Sequence, residues 1–425
     1  MKFSLINPPW SFEGSIYFGC REPHLPLEYG YARILLEREG HEVQLVDAQM
    51  ESLTFPELRD RVSAFRPDIA VVTTAPSYLF WRCAPPELRV PKQVVQSVRD
   101  CAGAVVAVGP HGSTTPTIAL AKLAVDAVVI GECEEILPKL AGEWATVPSL
   151  CYRHDGAVRI QGRPYAVNMK DLPVLRWDRR FLERHSHHHH RFDAQPVGPG
   201  AEMETSRGCP YHCTFCAKDN FRDSFRRRPL ATIGEELDGL IEAGAEYVYF
   251  IDEIFLAYRD VLETIAERRV KFGIQTRIDL WNYEMIDLLG RAGCVSIEAG
   301  VESITESGRN LLDKKCKLST DELADRLIYA KDRVPFVQAN LLESQEDNPA
   351  EVEAFRNRLQ EHGVWSNQPV PLFPYPGSPD YTRRWGNPDE RAWERAHEHY
   401  LKNFDEFSDI QEQKPLSLVE LEQTQ

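Results

Sequence analysis

Short apolar runs alternate with helical segments along the first third of the chain. Strands are predicted at Lys2–Ile6, Glu42–Asp47, Ile69–Thr73, Ala104–Val108 and Asp126–Ile130. The spacing of apolar residues predicts helices over Tyr29–Glu39 and Gln93–Asp100, and a third that begins over Thr115–Ala121. Runs of Val, Ile and Ala separated by helices are typical of a doubly wound parallel sheet, so residues 1–142 are predicted to form one α/β domain.

In such a sheet, ligands bind outside the carboxyl ends of the strands. The residues at those predicted ends are therefore the candidate ligand-binding residues of this domain: Asn7, Pro8, Thr74, Ser77, Gly109, Pro110, His111, Thr114, Gly131 and Glu132. The loop over 78–91 carries Phe80 and Trp81 and is longer than a simple connection needs. It is interpreted either as part of the pocket or as a flap over the domain interface.

Residues 143–200 are predicted to be a linker with a small hairpin. The hairpin strands are Leu150–Arg153 and Val158–Ile160, which flank the turn Asp155-Gly156. The run His187–His190 invites a metal-site interpretation, but it lies in a linker and no cysteine stands near it in the sequence. We therefore interpret this histidine run as incidental.

Strands and helices alternate again after Ala201. Strands are predicted at Met203–Thr205, Tyr247–Ile251, Lys271–Thr276, Ser296–Ala299, Val337–Leu341 and Gln368–Leu372, with helices centred on Leu237, Ile265, Ile286, Leu327 and Phe355. Six such units predict a partial (β/α)6 barrel over 201–380, with its active groups at the carboxyl ends of the strands. Residues 381–425 are predicted to be a helical, acidic tail that caps the barrel mouth or packs on its outside.

Composition and charge narrow the class of protein. The chain has 425 residues, of which 43% are hydrophobic, and a formal net charge of -16, which argues against a nucleic-acid partner. It has no run of about eighteen apolar residues that would span a membrane, and Pro8 interrupts the N-terminus before a signal peptide could form. Ten cysteines in a chain of this length do not indicate a disulfide scaffold, so a cytoplasmic protein is predicted.

Three of the cysteines stand close together. Cys209, Cys213 and Cys216 lie within eight residues, and three thiolates at this spacing suit an iron-sulfur cluster that keeps one iron free for a substrate. A partial zinc knuckle is the alternative, but no fourth Cys or His follows at zinc-ribbon spacing. The four arginines of 222–228 form the only basic patch, interpreted as a solvated loop, a site for the acidic face of an electron donor, or a substrate clamp.

The spacing of three residues and then two, with Phe215 before the last cysteine, resembles the signature of the radical S-adenosylmethionine enzymes. The resemblance implies a [4Fe-4S] cluster whose open iron binds S-adenosylmethionine, and a 5'-deoxyadenosyl radical formed by one-electron cleavage. It also implies a small-molecule substrate, no membrane partner, and a reducing partner such as flavodoxin or ferredoxin.

Later strand ends resemble the same family. The resemblance implies contacts with S-adenosylmethionine from Phe215, Asp252, Glu253, Arg277, Glu298, Gly300, Glu302, Ser303 and Tyr375. For the carboxylates Asp252 and Glu253, capping of the following helix stays open as an alternative, and for Arg277 a salt bridge inside the barrel. Gln338, Asn340 and Glu343, on or after the fifth strand, are candidate substrate contacts.

The segments VVAVGPHGSTT and VDAVVIGECEEIL make the first domain similar to the cobalamin-binding domain that precedes many radical S-adenosylmethionine cores. No Asp-x-His-x-x-Gly is present, so cobalamin is expected without a protein histidine below the cobalt; His111 is interpreted as a polar loop residue. The resemblance implies methyl transfer to an unactivated carbon or phosphorus centre of a small metabolite. A radical rearrangement or cyclisation, an enzyme whose first domain no longer binds cobalamin, and a cluster-bearing scaffold stay open.

Overall fold

The structure is a computed structural model that describes residues 1–17, 23–77, 84–185, 198–222, 224–404 and 414–423. Phe80, Trp81 and the run His187–His190 lie outside the described residues, so the hypotheses on them stay untested. None of the helices in these ranges combines the length and apolar character that a bilayer crossing requires.

A seven-stranded sheet forms the first half of the molecule. Its strands are β1 (Lys2–Asn7), β2 (Glu42–Asp47), β3 (Ile69–Thr73), β4 (Ala104–Val108), β5 (Ala127–Val129), β6 (Leu150–His154) and β7 (Ala157–Gln161). They lie in the order β2-β1-β3-β4-β5-β6-β7, and the first five are parallel. The predicted doubly wound sheet is confirmed, with the reversal of strand order, where ligands bind in such folds, between β1 and β3.

The predicted hairpin is present, but it belongs to this sheet. β6 pairs antiparallel with β5, and β7 pairs antiparallel with β6. The hairpin was predicted to lie in a linker because the sheet was expected to end at its last parallel strand, β5. The domain boundaries at 142, 200 and 380 stay a prediction.

Helices cover both faces of the first sheet. They are α1 (Leu27–Arg38), α2 (Phe55–Phe65), α3 (Arg89–Val98), α4 (Pro110–Thr114) and α5 (Pro116–Leu123), and the short α6 (Arg179–Leu182) follows the hairpin. The sequence analysis missed α2, although its start carries a clear signal. Thr54 and Glu57 form a reciprocal capping box there, with Pro56 in the first turn.

A second, wholly parallel sheet forms the other half. Its strands are β8 (Gly200–Met203), β11 (Tyr247–Phe250), β12 (Lys271–Thr276), β13 (Cys294–Glu302), β14 (Phe336–Leu341) and β15 (Trp365–Ser366), in the order β8-β11-β12-β13-β14-β15. The helices between them are α7 (Leu230–Glu242), α8 (Arg259–Ala266), α9 (Tyr283–Arg291), α10 (Glu306–Leu311), α11 (Thr320–Lys331) and α12 (Pro349–Glu361). An open barrel of six β/α units is therefore confirmed.

The last predicted strand was misplaced. β15 occupies Trp365–Ser366, whereas the predicted segment Gln368–Leu372 contributes a single bridge, between Leu342 and Val370. Pro369 and Pro371 explain the difference, because proline has no backbone N–H to donate to a ladder.

Two short strands, β9 (Ser206–Arg207) and β10 (Arg226–Arg227), pair antiparallel beside the barrel. Three helices follow the last barrel strand: α13 (Pro379–Trp385), α14 (Ala392–Lys402) and α15 (Leu418–Gln423).

The tail also contacts the first domain, which the sequence did not predict. Trp393 of α14 is buried, donates a hydrogen bond from Nε1 to Thr115 Oγ1 at 3.0 Å, and packs against the ring of His111 at 4.5 Å. Glu394 forms an ion pair with Lys122 of α5. The tail therefore ties the barrel to the α4–α5 corner of the first domain.

We expect Trp393→Ala to lower the free energy of unfolding by about 3–5 kcal/mol, because it removes a buried indole between the two domains. Trp393→Phe keeps a packed ring and loses only the hydrogen bond to Thr115, so its expected cost is about 1 kcal/mol. Urea denaturation of the full chain measures both values. Equal stability of the wild type and Trp393→Ala would show that the indole of Trp393 contributes nothing to domain docking.

Candidate functional site

The three cysteines lie in a loop that begins where β8 and β9 end. Gly208 opens the loop with a φ of +78°, and a side chain there would lie 2.1 Å from the carbonyl oxygen of Ser224. Only glycine fits such a position. Its N–H donates to Glu253 Oε2 at 2.9 Å, so the start of the loop is fixed to the end of β11.

The middle of the loop is fixed at Thr214. Its N–H donates to the carbonyl of Leu312 at 3.0 Å, and its hydroxyl donates to Asp380 Oδ2 at 2.9 Å. The N–H of Asp380 returns a bond to the carbonyl of Thr214 at 2.9 Å. The loop is thus held between the turn after α10 and the first turn of α13.

The donor set fits a cluster. Cys209, Cys213 and Cys216 are half-buried free thiols. Burial raises the pKa of Cys209 to about 11 and also raises that of Cys213, so iron binding would release their protons. Among the described residues no three or more His, Cys, Asp or Glu side chains are placed to hold a metal ion. The zinc-knuckle alternative stays open, and the cysteines of an iron-sulfur cluster each bind a different iron.

Asp252 and Glu253 follow β11, and their carboxylates accept hydrogen bonds from the residues that lead into the cysteine loop. Asp252 accepts hydrogen bonds from Thr205 N (2.8 Å), Thr205 Oγ1 (2.5 Å) and Ser206 Oγ (2.6 Å). Burial raises its pKa to about 7 although these bonds oppose the shift. The structure therefore makes Asp252 a brace for the strand that enters the loop, and neither carboxylate caps a helix.

Arg277, after β12, forms an ion pair, which was one of its two predicted roles. Its Nε and Nη2 donate to the two oxygens of Asp279 at 3.1 and 2.8 Å, and its guanidinium lies 4.3 Å from the ring centre of Tyr211 in the cysteine loop. Its Nη1 is buried without a hydrogen-bond partner among the described residues. A buried donor of this kind fits a carboxylate ligand.

A buried lysine that was not predicted, Lys314, follows α10 and contacts the end of β13. Lys314 donates to the carbonyl of Gly300 at 3.0 Å and forms a close ion pair with Glu302. Burial and the nearby charge of Arg277 lower its pKa to about 8. Glu302 has a φ of +63°, so the strand turns sharply where its carboxylate meets the lysine.

The other predicted contacts are placed differently. Glu298 accepts from Tyr249 Oη at 3.4 Å inside the barrel, and Ser303 donates to Asp347 Oδ1 at 2.7 Å. Gln338 donates to Asn340 Oδ1 at 2.6 Å, so both lie on one face of β14. Phe215 is half-buried within the cysteine loop. The hydroxyl of Tyr375 contacts that of Tyr17, and the N–H of Glu343 donates to the carbonyl of Val370.

A buried ion cluster joins the two halves next to the cysteine loop. Arg207, the residue before Gly208, contacts Glu204 at 2.6 Å, Glu134 at 2.7 Å and Glu132 at 3.6 Å. Glu132 and Glu134 follow β5, and Arg207 follows β8. The carboxyl edge of the first sheet therefore meets the carboxyl edge of the second.

Arginines of the predicted basic patch complete this cluster. Arg226 contacts both oxygens of Glu132 at 2.8 Å, and Arg222 lies 3.3 Å from Glu132 and 3.4 Å from Glu253. Arg228 binds Glu236 at 2.8 Å. The solvated-loop interpretation is wrong for Arg222 and Arg228, which are buried because carboxylates of the fold neutralise them.

The pKa values of the two carboxylates that follow β5, Glu132 and Glu134, shift in opposite directions. Burial would raise the pKa of Glu132, but the charges of Arg207, Arg226 and Arg222 outweigh burial and hold that pKa well below its usual range. Burial dominates at Glu134 and raises its pKa, with Arg207 opposing and Glu132 adding to the rise. Glu132, predicted as a cobalamin contact, is thus an interface residue in this structure.

At the switch point of the first sheet, several polar residues are buried. Asn7 donates to Asp47 Oδ1 at 2.9 Å and accepts from Trp10 Nε1 at 2.8 Å. Ser77 donates to Glu28 Oε2 at 2.6 Å. Within the described ranges Asp47 Oδ2, Glu28 Oε1 and Thr74 Oγ1 are buried without a hydrogen-bond partner. Such unpaired oxygens fit a polar ligand at this edge.

The remaining predicted residues of this edge lie in the loops after β4 and β5. Gly109 and Gly131 have φ values of +120° and +90°, and the N–H of Gly131 donates to Ser113 Oγ at 2.7 Å. Burial lowers the pKa of His111 to about 3, so its ring is neutral. Pro110 and Thr114 bound α4, and Pro8 O accepts from Trp10 N at 3.0 Å.

The chain is similar to known proteins in sequence and in fold. Residues 203–358 match the model of the Radical SAM superfamily. The match begins at the end of β8, just before the three cysteines, and runs into α12.

Similar proteins include an uncharacterized methyltransferase of Pyrococcus horikoshii, 27% identical over 71% of this chain and 66% of its own length. The anaerobic magnesium-protoporphyrin IX monomethyl ester cyclase of Rubrivivax gelatinosus is 22% identical over 83% of this chain and 64% of its own length. The chain thus spans about two thirds of these relatives.

Among solved structures, the radical S-adenosylmethionine methyltransferase TsrM of Kitasatospora setae, with tryptophan and an S-adenosylmethionine analogue bound, is similar with a TM-score of 0.71. The likeness covers 90% of this chain and 76% of TsrM at 17% sequence identity, so it shows a shared fold. That fold extends over both halves of the molecule.

We expect Arg207→Met to lower the free energy of unfolding by about 3–5 kcal/mol at pH 8, because it leaves buried carboxylates unpaired. The loss should be smaller at pH 5.5, where those carboxyl groups can take up protons. Urea denaturation at both pH values measures this. Arg227→Met is the matched control: Arg227 pairs with the exposed Asp260 at 2.9 Å, and its expected cost is about 1 kcal/mol or less. Equal losses in the two variants would contradict the assignment of Arg207.

The pKa of Glu28 predicts a pH dependence. Burial raises it from 4.5 to about 7, so the unfolded chain releases this proton at a lower pH than the folded chain does. The contribution of Glu28 to the free energy of unfolding therefore falls as pH rises from about 4.5 to 7. We expect Glu28→Gln to gain stability relative to the wild type across that window, on the order of 3 kcal/mol at pH 8. Parallel stability curves for the two proteins would contradict this prediction.

Proposed function

We propose that this protein is a cobalamin-dependent radical S-adenosylmethionine enzyme that transfers a methyl group to an unactivated carbon or phosphorus centre of a small metabolite. The observation that carries the proposal is the meeting of the two carboxyl edges at Arg207. The predicted cobalamin edge and the cysteine loop are then parts of one interface, as the reaction requires. When bound, the cluster supplies an electron to the sulfonium, and cobalamin supplies the methyl group.

On the barrel side, Cys209, Cys213 and Cys216 would hold the cluster. The unpaired Nη1 of Arg277 is proposed to bind the carboxylate of S-adenosylmethionine, a charge-assisted contact that orients the sulfonium. Glu298 and Glu302 would meet its polar groups from β13. Asp252 and Glu253 act through the loop that they brace, so we propose positioning roles for them.

On the first domain, we propose that cobalamin binds at the β1/β3 switch point. Support comes from the buried, unpaired oxygens of Asp47, Glu28 and Thr74, which a polar cofactor would satisfy. The neutral His111 packs on Trp393, and we propose that it does not bind cobalt.

A second candidate function is radical cyclisation without methyl transfer. It is favoured by the match to the Rubrivivax gelatinosus cyclase, which extends over 83% of this chain. Product analysis separates the two candidates, because only methylation consumes one S-adenosylmethionine as methyl donor and yields S-adenosylhomocysteine. We further propose that a small redox protein such as flavodoxin or ferredoxin reduces the cluster.

The test is anaerobic reconstitution with iron, sulfide and hydroxocobalamin, followed by assays for 5'-deoxyadenosine and S-adenosylhomocysteine. We expect the wild type to form both. Alanine at position 209, 213 or 216 should abolish iron loading and 5'-deoxyadenosine formation. Cys101→Ala, at a half-buried cysteine of the first domain, is the control and should leave both unchanged. Full iron loading in a Cys213→Ala variant would refute the cluster assignment.

A further inference from the structure

The outer side of the cysteine loop is bordered by two exposed basic segments. Thr214, between the second and third cysteines, touches Leu312 and Asp380, so the chain around 311–317 and the helix α13 both lie against the loop. Lys315 and Lys317 are exposed on the first segment, and Arg383 and Arg384 on the second.

The local charge is opposite to that of the whole chain. Two carboxylates lie among the four cations: Asp313 is 3.8 Å from Lys315, and Asp380 is 2.9 Å from Arg383. The surface therefore has an excess of positive charge although the formal net charge of the chain is -16. The arginines first suggested for an electron donor, 222–228, are instead bound to carboxylates of the fold.

An exposed apolar residue lies within this basic surface. Leu311, at the end of α10, is 62% exposed, among the highest values for a large apolar side chain in the described residues. It precedes Leu312, whose carbonyl receives the N–H of Thr214. Protein interfaces bury an apolar centre inside a polar rim, and Leu311 would supply that centre here.

We propose that this surface, defined by Leu311, Lys315, Lys317, Arg383 and Arg384, docks a small acidic one-electron carrier protein that reduces the cluster. The inference rests on the proposed function. Opposite charge would steer the acidic carrier to the loop and away from the acidic remainder of the chain. A carrier docked there would lie against the two segments that contact Thr214, which stands between the second and third cysteines.

The test compares two reductants and two charge reversals on the full reconstituted chain. The docking variant is Lys317→Glu with Arg384→Glu. The control is Arg179→Glu with Arg180→Glu on α6, whose side chains are both 75% exposed and which lies near the amino end of β8, away from the loop. Binding of purified flavodoxin is measured directly by biolayer interferometry at low and high salt.

We expect the docking variant to bind flavodoxin about tenfold more weakly at low salt. Its 5'-deoxyadenosine formation should fall by about the same factor with flavodoxin and its reductase, and stay at the wild-type rate with dithionite. The control variant should match the wild type in all three measurements. Lys315→Gln with Lys317→Gln, which removes charge without reversing it, should show a smaller loss of binding.

The proposal is overturned if flavodoxin does not bind the wild type, if the docking variant binds as tightly as the wild type, or if the control loses as much. It is also overturned if dithionite-driven turnover falls in parallel, because the substitutions would then act on the loop itself. Absence of 5'-deoxyadenosine from the wild type with dithionite would instead refute the proposed function, and the binding measurement would still decide the docking surface.

Discussion

The buried ion cluster around Arg207 is the interaction on which the rest of the site depends. A guanidinium without exposure to solvent is stable only beside opposite charge, and here that charge comes from both halves of the molecule, through Glu204 and Glu134. Because Arg207 is followed directly by Gly208 and Cys209, the docking of the two domains and the start of the cysteine loop are fixed at one point.

Several residues that sequence motifs assign to ligand binding instead form ion pairs and hydrogen bonds within the fold. Glu132, Asp252 and Glu253 all stand at strand ends, where ligand contacts are expected, yet each has its carboxylate engaged by the fold. Carboxylates of this kind rigidify the loops that carry the chemistry. Within the described ranges, buried atoms that lack a hydrogen-bond partner, such as Arg277 Nη1 and Asp47 Oδ2, are the better candidates for ligand contacts.

The sequence predicted the local and periodic features well. Five of the β-strands in the first sheet, the cysteine loop and all five predicted barrel helices follow from apolar spacing and turn chemistry. Contacts between residues that are far apart in the sequence were not predictable. The buried positions of Arg222 and Lys314 depend on partners contributed by other strands, and the hairpin β6–β7 joins the first sheet because β5 offers a free edge. No pattern in residues 392–402 predicts that Trp393 packs on His111.

The placement of Arg207 also couples the cysteine loop to the closing of the two halves. In a chain whose first domain has not yet docked, this guanidinium keeps Glu204 but lacks Glu134, while Gly208 keeps its bond to Glu253. The barrel half can therefore hold the loop by itself, but the positive charge directly before it stays hydrated until docking supplies the second carboxylate. Damage to the distant first domain would thus be felt at a residue two positions from Cys209.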